Sequence, residues 1–173
     1  GQIGDKGEIS SGKFIFEVSD VQKKLGDLFV HYGEVRSGSI KINQNVEMKI
    51  DTKRRDNLRA YHSATHLLHE SLRRVLGSHV MQKGSLVEPD RLRFDFSHMK
   101  PISSDEISKI ELHVNKMVEK KSQVKTRIMT PKEAVDNGAL ALFGEKYGDE
   151  VRVLSMGDED NSYFSTELCG GTH

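Results

Sequence analysis

The sequence has little of several residue types that mark particular protein classes. Its 173 residues include one cysteine, three prolines and no tryptophan, and aromatic residues make up only 6%. The single cysteine, Cys169, excludes an intramolecular disulfide and is typical of a reducing compartment. The longest apolar run, residues 139–143, is too short to cross a bilayer, and no signal-peptide pattern opens the sequence.

Net charge is also lacking, because 26 basic and 26 acidic side chains cancel. This balance excludes a polycationic tail or a globally basic nucleic-acid binder, but it permits a local basic face. With 35% hydrophobic and 30% charged residues and a mean hydropathy of −0.56, the composition is typical of a soluble globular protein. The length suits one domain, or one with a small satellite. The first residue is Gly1, so we expect a piece of a longer protein.

Residues 1–51 predict β-strands. Phe14, Phe16 and Val18 alternate along one run, and residues 28–35 form a second extended run. After a turn at residues 37–38, apolar side chains fall mostly at even positions up to residue 50. Regular strands separated by glycine-containing turns predict a small β-barrel, which we assign to residues 1–55.

Residues 56–173 predict a mixed domain. A first helix is predicted between an N-cap at Asp56 and a stop at Gly77, with its histidines opposite the apolar stripe. Capping boxes that begin at Ser103 and Thr130 predict two more helices. Strand-like runs lie at residues 79–87, 92–96, 151–156 and 163–168. The uneven order of elements predicts an α+β fold, in which helices pack on a mainly antiparallel sheet.

Two short motifs offer metal ligands. Residues 62–66 read HSATH, and histidines four positions apart share one helix face. For this pair alone, a solvated polar face is the more frequent explanation. Residues 169–173 read CGGTH, where two glycines let the cysteine and the histidine bend towards one ion. Together, His62, His66, Cys169 and His173 form an N₃S set that suits tetrahedral Zn²⁺.

Alternatives to this assignment remain at the level of sequence. Ser63 occupies the position where helical zinc proteases carry a general-base glutamate, so that class is excluded. His69 competes as a ligand through its spacing to His66, and we rank it as a residue that contacts a ligand or solvent. Cys169 alone would also fit a buried inert thiol. Ligand identity does not separate a structural zinc from a catalytic one.

These motifs, in this order, resemble the editing region of alanyl-tRNA synthetases. Residues 80–87, 92–98 and 141–147 resemble family segments, and the opening GQIGD resembles the end of a family glycine-rich loop. The first part is similar to the small barrel that precedes editing in these enzymes, and to barrels of translation factors. The resemblance covers essentially the whole chain. It departs from the family where sequence beyond CGGTH would follow, and residues 157–163 are longer than the expected connection.

The resemblance implies proofreading. The domain would hydrolyse the ester of serine or glycine wrongly attached to tRNA(Ala) and would spare the alanyl ester. Its partners would be the mischarged acceptor end and the rest of the synthetase, with no DNA or membrane, in the cytoplasm. ATP would be needed only in the absent aminoacylation domain. A different class also fits the residues, namely a zinc-nucleated RNA-binding or structural module without turnover.

The resemblance also implies roles for individual residues. His62, His66, Cys169 and His173 would hold Zn²⁺. Thr65 would bind the serine hydroxyl, although a helical threonine can instead bond back to its own turn. Gln82 would hold substrate or water, or is a polar surface residue. The backbone N–H groups of Gly170 and Gly171 would approach the ester oxygen. Either water attacks the ester carbonyl beside the zinc, or the zinc only positions the substrate.

Phosphate contacts to tRNA require basic side chains. The sequence contains two local basic clusters, each of which also fits an ordinary solvated face. The first cluster comprises Lys49, Lys53, Arg54, Arg55 and Arg59, and the second comprises Lys116, Lys120, Lys121, Lys125 and Arg127.

Overall fold

The computed structural model describes residues 1–26, 28–140, 148–159 and 162–173. The segment at residues 141–147 lies outside these residues, as do parts of the runs at 139–143 and 157–163. The described elements, in chain order, are β1 Gly7–Ser11, β2 Phe14–Lys24, β3 Leu28–Ser37, β4 Glu47–Ile50, α1 Thr52–Leu76, β5 Gln82–Val87, β6 Leu92–Phe96, α2 Ser104–Lys120, β7 Lys125–Met129, α3 Pro131–Asp136, β8 Val151–Glu159 and β9 Ser162–Leu168.

The α+β class is confirmed, and the named strand pairs are antiparallel. The first sheet has the order β3-β2-β1-β4, β5 and β6 form a hairpin, and the third sheet has the order β7-β8-β9. In the described helices, none combines the length and the apolar character that crossing a membrane requires.

The first sheet has one apolar face and one charged face. Val35, Phe16, Ile9 and Met48 are aligned across its strands, so the period of two places them on the same side. The residues next to them along the strands, including Glu8, lie on the opposite, charged face. The predicted β-rich unit is therefore present. Closure into a barrel is not seen in the described strands, where the two edge strands β3 and β4 do not pair with each other.

Helix α1 begins five residues earlier than predicted. Its N-cap is Asp51, whose side chain accepts a hydrogen bond from the Arg54 N–H at 3.0 Å, so the assignment of Asp56 was wrong. Two tertiary contacts hold this first turn: Arg54 donates to the Gly4 carbonyl at 2.8 Å, and Arg55 pairs with Asp5. The first turn of α1 is charged and carries no apolar stripe, so the apolar periodicity used to predict the helix did not extend to it.

The helix face that carries the histidines is partly buried. His66 and His69 are only 8% and 5% exposed, because α1 packs against β9 on this side as well as against α2. On α1, Leu67 joins a core cluster that includes Met156 and Phe164 of the third sheet. Helix α1 therefore carries its histidines into the interior, close to the end of β9.

The capping box of α2 yields a first testable prediction. The Ser103 hydroxyl accepts from the Glu106 N–H, and the Glu106 carboxylate accepts from the Ser103 N–H at 2.8 Å. The hydrogen bonds that this carboxylate accepts from the Ser103 N–H and from the Ser103 hydroxyl lower the pKa of Glu106 to about 2. We expect Ser103→Ala to lower the free energy of unfolding in urea by about 1 kcal/mol. Ser104→Ala, one residue along, is the control and should leave stability nearly unchanged.

The same box has a pH signature. Because the folded pKa of Glu106 is lower than its ordinary value of 4.5, its contribution is complete above about pH 4.5 and is lost as pH falls towards 2. The difference in stability between wild type and Ser103→Ala should therefore shrink over that interval. A difference that stays constant down to pH 2 would contradict the assigned role of Glu106.

Candidate metal centre

Four side chains from two distant parts of the chain meet at one point. His62 and His66 lie one turn apart on α1, while Cys169 and His173 come from the segment that follows β9. One ligand atom from each residue lies within 4.8 Å of all the others. The His62 and His66 rings stack with centroids 5.3 Å apart. The proximity that the motifs predicted is present, whereas zinc itself stays a prediction.

The Cys169 sulfur lies close to two of the histidines in this cluster. Its Sγ is 3.5 Å from His62 Nε2 and 3.4 Å from His173 Nε2. Two ligands of a tetrahedral zinc lie roughly 3.3–3.8 Å apart, given bond lengths of about 2.0–2.3 Å. Both sulfur–nitrogen distances therefore suit ligands of one zinc ion.

Each histidine uses its outer nitrogen for a contact outside the cluster. His62 Nδ1 lies 2.8 Å from Gln2 Oε1, His66 Nδ1 lies 2.8 Å from Glu167 Oε2, and His173 Nδ1 lies 3.2 Å from Ser63 Oγ. The Nε2 atoms are thereby left for the cluster. Histidines that bind metals are held in the same manner, through a hydrogen bond at the other ring nitrogen.

One atom in the cluster has no partner within the described structure. His66 Nε2 is buried and makes no hydrogen bond there. A buried polar atom without a partner is costly, and a bound cation would satisfy it. With three imidazole nitrogens and one sulfur, the donor set fits Zn²⁺ better than Mg²⁺ or Ca²⁺, which prefer oxygen ligands.

The electrostatics favour a cation at this point. Burial raises the pKa of the Cys169 thiol, but hydrogen bonds with His173 and His62 and the nearby charge of His66 outweigh it and lower the pKa to about 3. Burial lowers the pKa of His66, while Cys169 and Glu167 raise it to about 9. Without a metal, a proton on His66 therefore lies between two anions. A divalent cation would take the place of that proton.

The glycines of CGGTH have different surroundings. A Cβ on Gly171 would lie 2.1 Å from His62 Cε1, whereas a Cβ on Gly170 would meet nothing within 4 Å. The Gly171 N–H donates to the Cys169 sulfur at 3.3 Å, so it is engaged inside the cluster. The prediction that this N–H reaches a substrate oxygen therefore requires that it leave the sulfur. Gly171 is required here because a side chain would displace His62.

This contrast yields a second prediction with a matched control. We expect Gly171→Ala to weaken zinc binding at least about tenfold, because the new methyl group forces His62 out of position. Gly170→Ala should bind zinc like the wild type. Zinc competition against a chromophoric chelator measures both affinities. Equal affinities for the two variants would show that His62 does not need its present position.

Two arginines hold the CGGTH segment in place. Arg152 on β8 donates to the carbonyls of Cys169 at 3.2 Å and of Gly171 at 2.6 Å. Arg59 on α1 donates to the His173 carbonyl at 2.8 Å. Because their donors are directed at carbonyl oxygens of one short segment, both arginines orient the ligands that the segment carries.

Thr65 and Gln82 do not join the cluster of four. The Thr65 hydroxyl is buried and donates to the Tyr61 carbonyl at 2.8 Å, which is the bond back to its own turn considered above. Gln82 on β5 has its amide 3.4 Å from Ser85 Oγ. Their roles towards substrate remain predictions.

Sequence reasoning missed several residues around the centre. Glu167 was overlooked, although the period of two on β9 places it on the same side as Cys169. His69 was ranked as a residue that contacts a ligand or solvent; it is buried, and its Nδ1 lies 3.0 Å from Glu167 Oε1, a partner that the ranking did not include. Gln2 contacts both His62 and Thr172, and no local sequence pattern predicts contacts between residues so far apart.

Most side chains of the first basic cluster contact other residues of the chain. Lys49 pairs with Glu47 at 3.2 Å, and the three arginines of this cluster bind the partners already described. In the second cluster, Lys120 donates to the Asp158 carbonyl at 3.0 Å and Lys125 to the Tyr163 hydroxyl at 3.1 Å. Contact of either cluster with RNA remains a prediction.

Comparison with known proteins first gives a class. Residues 1–54 match the family model of class II tRNA synthetases (A). That match covers the first sheet and the beginning of α1, but not the cluster of four ligands.

Whole-chain comparisons are more specific. The chain is 58% identical to the alanine–tRNA ligase of Parvibaculum lavamentivorans, and 57% identical to those of Mesorhizobium japonicum and Granulibacter bethesdensis. Each alignment covers 100% of this chain but only 20% of the relative. The chain is thus similar over its whole length to one segment of alanine–tRNA ligases, and it spans about a fifth of them.

Proposed function

We propose that this chain is the editing segment of an alanyl-tRNA synthetase and hydrolyses seryl- or glycyl-tRNA(Ala) at a Zn²⁺ centre. The observation that carries the proposal is the N₃S cluster, with ligand atoms within 4.8 Å of one another and a buried partnerless nitrogen. Similarity to alanine–tRNA ligases over 100% of the chain supports the choice of substrate. The parent enzyme would be cytoplasmic and would ligate alanine to tRNA(Ala) with ATP elsewhere in its chain.

The proposal assigns the chain to two units. Residues 1–55 form the β-rich unit, which contributes Gln2 to the centre, and residues 56–173 form the editing domain. The acceptor end of the mischarged tRNA and the rest of the synthetase are its partners.

A separate hydrolytic site meets a physical need. A pocket built for alanine excludes larger side chains, but it discriminates poorly against glycine or against an added hydroxyl group. A second site must therefore recognise what the first one admits. Serine differs from alanine by one hydroxyl, so a polar group that binds this hydroxyl would select the wrong ester.

Thr65 can provide this selection without losing its present bond. A hydroxyl group has one donor and two acceptor lone pairs, and the Thr65 donor is used on the Tyr61 carbonyl. Its lone pairs remain for a hydrogen bond donated by the serine hydroxyl. Thr65 directly precedes His66, one of the proposed ligands, on α1.

The proposal assigns a role to each group around the centre. The Cys169 thiolate and the three histidines would hold the zinc, and zinc supplies the positive charge that polarises an ester carbonyl or activates water. Both oxygens of Glu167 are already engaged by His66 and His69. Glu167 therefore orients rings rather than taking a proton from water. Gln82 remains the candidate for holding substrate or water.

Deacylation assays test the proposal. Purified chain is mixed with seryl-, glycyl- and alanyl-tRNA(Ala), and tRNA binding is measured in parallel. We expect loss of the seryl and glycyl esters and persistence of the alanyl ester. Binding without cleavage of any ester would overturn the proposal and favour the alternative of an RNA-binding or structural zinc module.

A further inference from the structure

A buried chain of polar groups extends from the metal centre into the core. Glu167 is 5% exposed and lies between His66 and His69, which are also buried. Its Oε2 is 2.8 Å from His66 Nδ1, and its Oε1 is 3.0 Å from His69 Nδ1. His69 does not belong to the cluster of four ligands. The cluster alone does not explain why a second histidine is buried on the same carboxylate.

We infer that Glu167 and His69 are positioning residues: His69 fixes Glu167, and Glu167 fixes the His66 ring with its Nε2 directed at the metal centre. This inference rests on the proposed zinc centre. It assigns to His69 a task at the centre, although His69 itself does not reach the metal.

The hydrogen-bond chemistry leaves one arrangement for the metal-bound state. A carboxylate only accepts, so both histidines must present an N–H at Nδ1 to its two oxygens. His66 is thereby held in the form whose Nε2 carries a lone pair, as a ligand requires. The Ser165 hydroxyl also donates to Oε1, at 3.3 Å. With both oxygens engaged, the carboxylate cannot rotate away from His66.

Packing supports a positioning role over a purely structural one. The His69 ring lies against Phe94, with centroids 5.1 Å apart, so an apolar ring would fill the same space. Its Nε2 is buried without a hydrogen-bond partner in the described residues, a cost that phenylalanine would avoid. Replacing a buried charged network with well-packed apolar side chains is often neutral or stabilising. The gain must therefore lie in the orientation of His66.

Three variants test the inference through metal affinity. In Glu167→Gln, the amide offers an N–H₂ group to one ring and cannot accept from both. We expect its zinc affinity to fall roughly 10- to 100-fold. His69→Phe keeps the ring against Phe94 but removes the donor, and affinity should fall roughly tenfold. His69→Asn restores an N–H near the Nδ1 position, so affinity should recover most of that loss.

Cobalt provides a readout of geometry besides affinity. Co²⁺ bound to the full chain reports ligand arrangement through its visible d–d absorption, which should change in Glu167→Gln and His69→Phe and return in His69→Asn. Leu72→Val on the same helix serves as control, because it removes buried apolar atoms only. It should leave the zinc affinity and the cobalt spectrum unchanged.

The outcomes separate the inference from the proposed function. If the wild type binds zinc, and both Glu167→Gln and His69→Phe bind it equally well with unchanged cobalt spectra, the inference is wrong while the centre stands. A fall in affinity that His69→Asn does not recover would refute the role of the His69 donor. If the wild type itself binds no zinc, the metal centre fails and the inference fails with it.

Discussion

Cys169→Ala is expected to abolish both zinc binding and hydrolysis of seryl-tRNA(Ala). The sulfur is the one ligand within hydrogen-bonding range of two others, at 3.4 and 3.5 Å. Its removal deletes the sole anionic ligand of the set. We expect zinc affinity to fall by about a thousandfold or more, since free energies of structural zinc binding reach about 10–16 kcal/mol and depend on every ligand.

The rate of hydrolysis should fall with the affinity. In the variant, seryl-tRNA(Ala) should persist at the level of the uncatalysed control, while its binding to the chain should remain, because phosphate contacts do not involve the cysteine. Metal content by atomic absorption and deacylation of radiolabelled ester measure the two effects. Gly170→Ala is the matched control for metal content, since its added methyl group meets no atom of the chain within 4 Å. Full hydrolysis by zinc-free Cys169→Ala would refute a metal-dependent reaction.

Zinc binding is expected to release about one proton per ion at neutral pH. The thiolate is already formed, because the Cys169 pKa is about 3, while His66 holds a proton with a pKa of about 9. The pKa of His173 is lowered, chiefly by burial, so that ring is neutral near pH 7. Below about pH 9, affinity should therefore rise about tenfold per pH unit, and above it should level off. Calorimetric titrations in two buffers of different ionisation enthalpy count the protons.

The stability of the chain should follow the same linkage. At a free zinc concentration of about a thousand times Kd, the free energy of unfolding should rise by about 4 kcal/mol. Without zinc, the raised pKa of His66 stabilises the fold fully below about pH 6.5, and that contribution is lost as pH rises through about 9. The lowered pKa of Glu167 stabilises it above about pH 4.5, and that contribution is lost towards pH 2. In the calorimetric titration with zinc, release of two protons per ion, or of none, would contradict the charge states assigned to Cys169 and His66.

The two halves of the proposed ligand set could each be recognised in the sequence, because the information within each motif is local. Spacing within HSATH fixes which ring pair shares a helix face, and two glycines let CGGTH fold back on itself. The capping boxes of α2 and α3 are local as well, and both were predicted correctly. Within each motif and each capping box, the residues concerned are at most four positions apart, whereas the meeting of the two motifs joins residues 107 positions apart.

What the sequence did not predict depends on contacts between distant residues. His69 looks like a solvated side chain in any helical pattern, and only its packing against β9 makes it a buried partner of Glu167. The early beginning of α1 likewise depends on Arg54 and Arg55 reaching residues 50 positions away. Polar side chains that are buried in pairs carry no hydrophobic signal, so periodicity assigns them to the surface.

The amide of Gln2 accepts hydrogen bonds from His62, 60 residues away, and from Thr172, 170 residues away. Contacts of such separation form late, because the entropy of closing a long loop must be overcome before they stabilise anything. During refolding, ligation should therefore lag behind helix formation, and the appearance of the cobalt colour would time the final assembly of the molecule. Formation of the centre would thus report when the surrounding long-range contacts are complete.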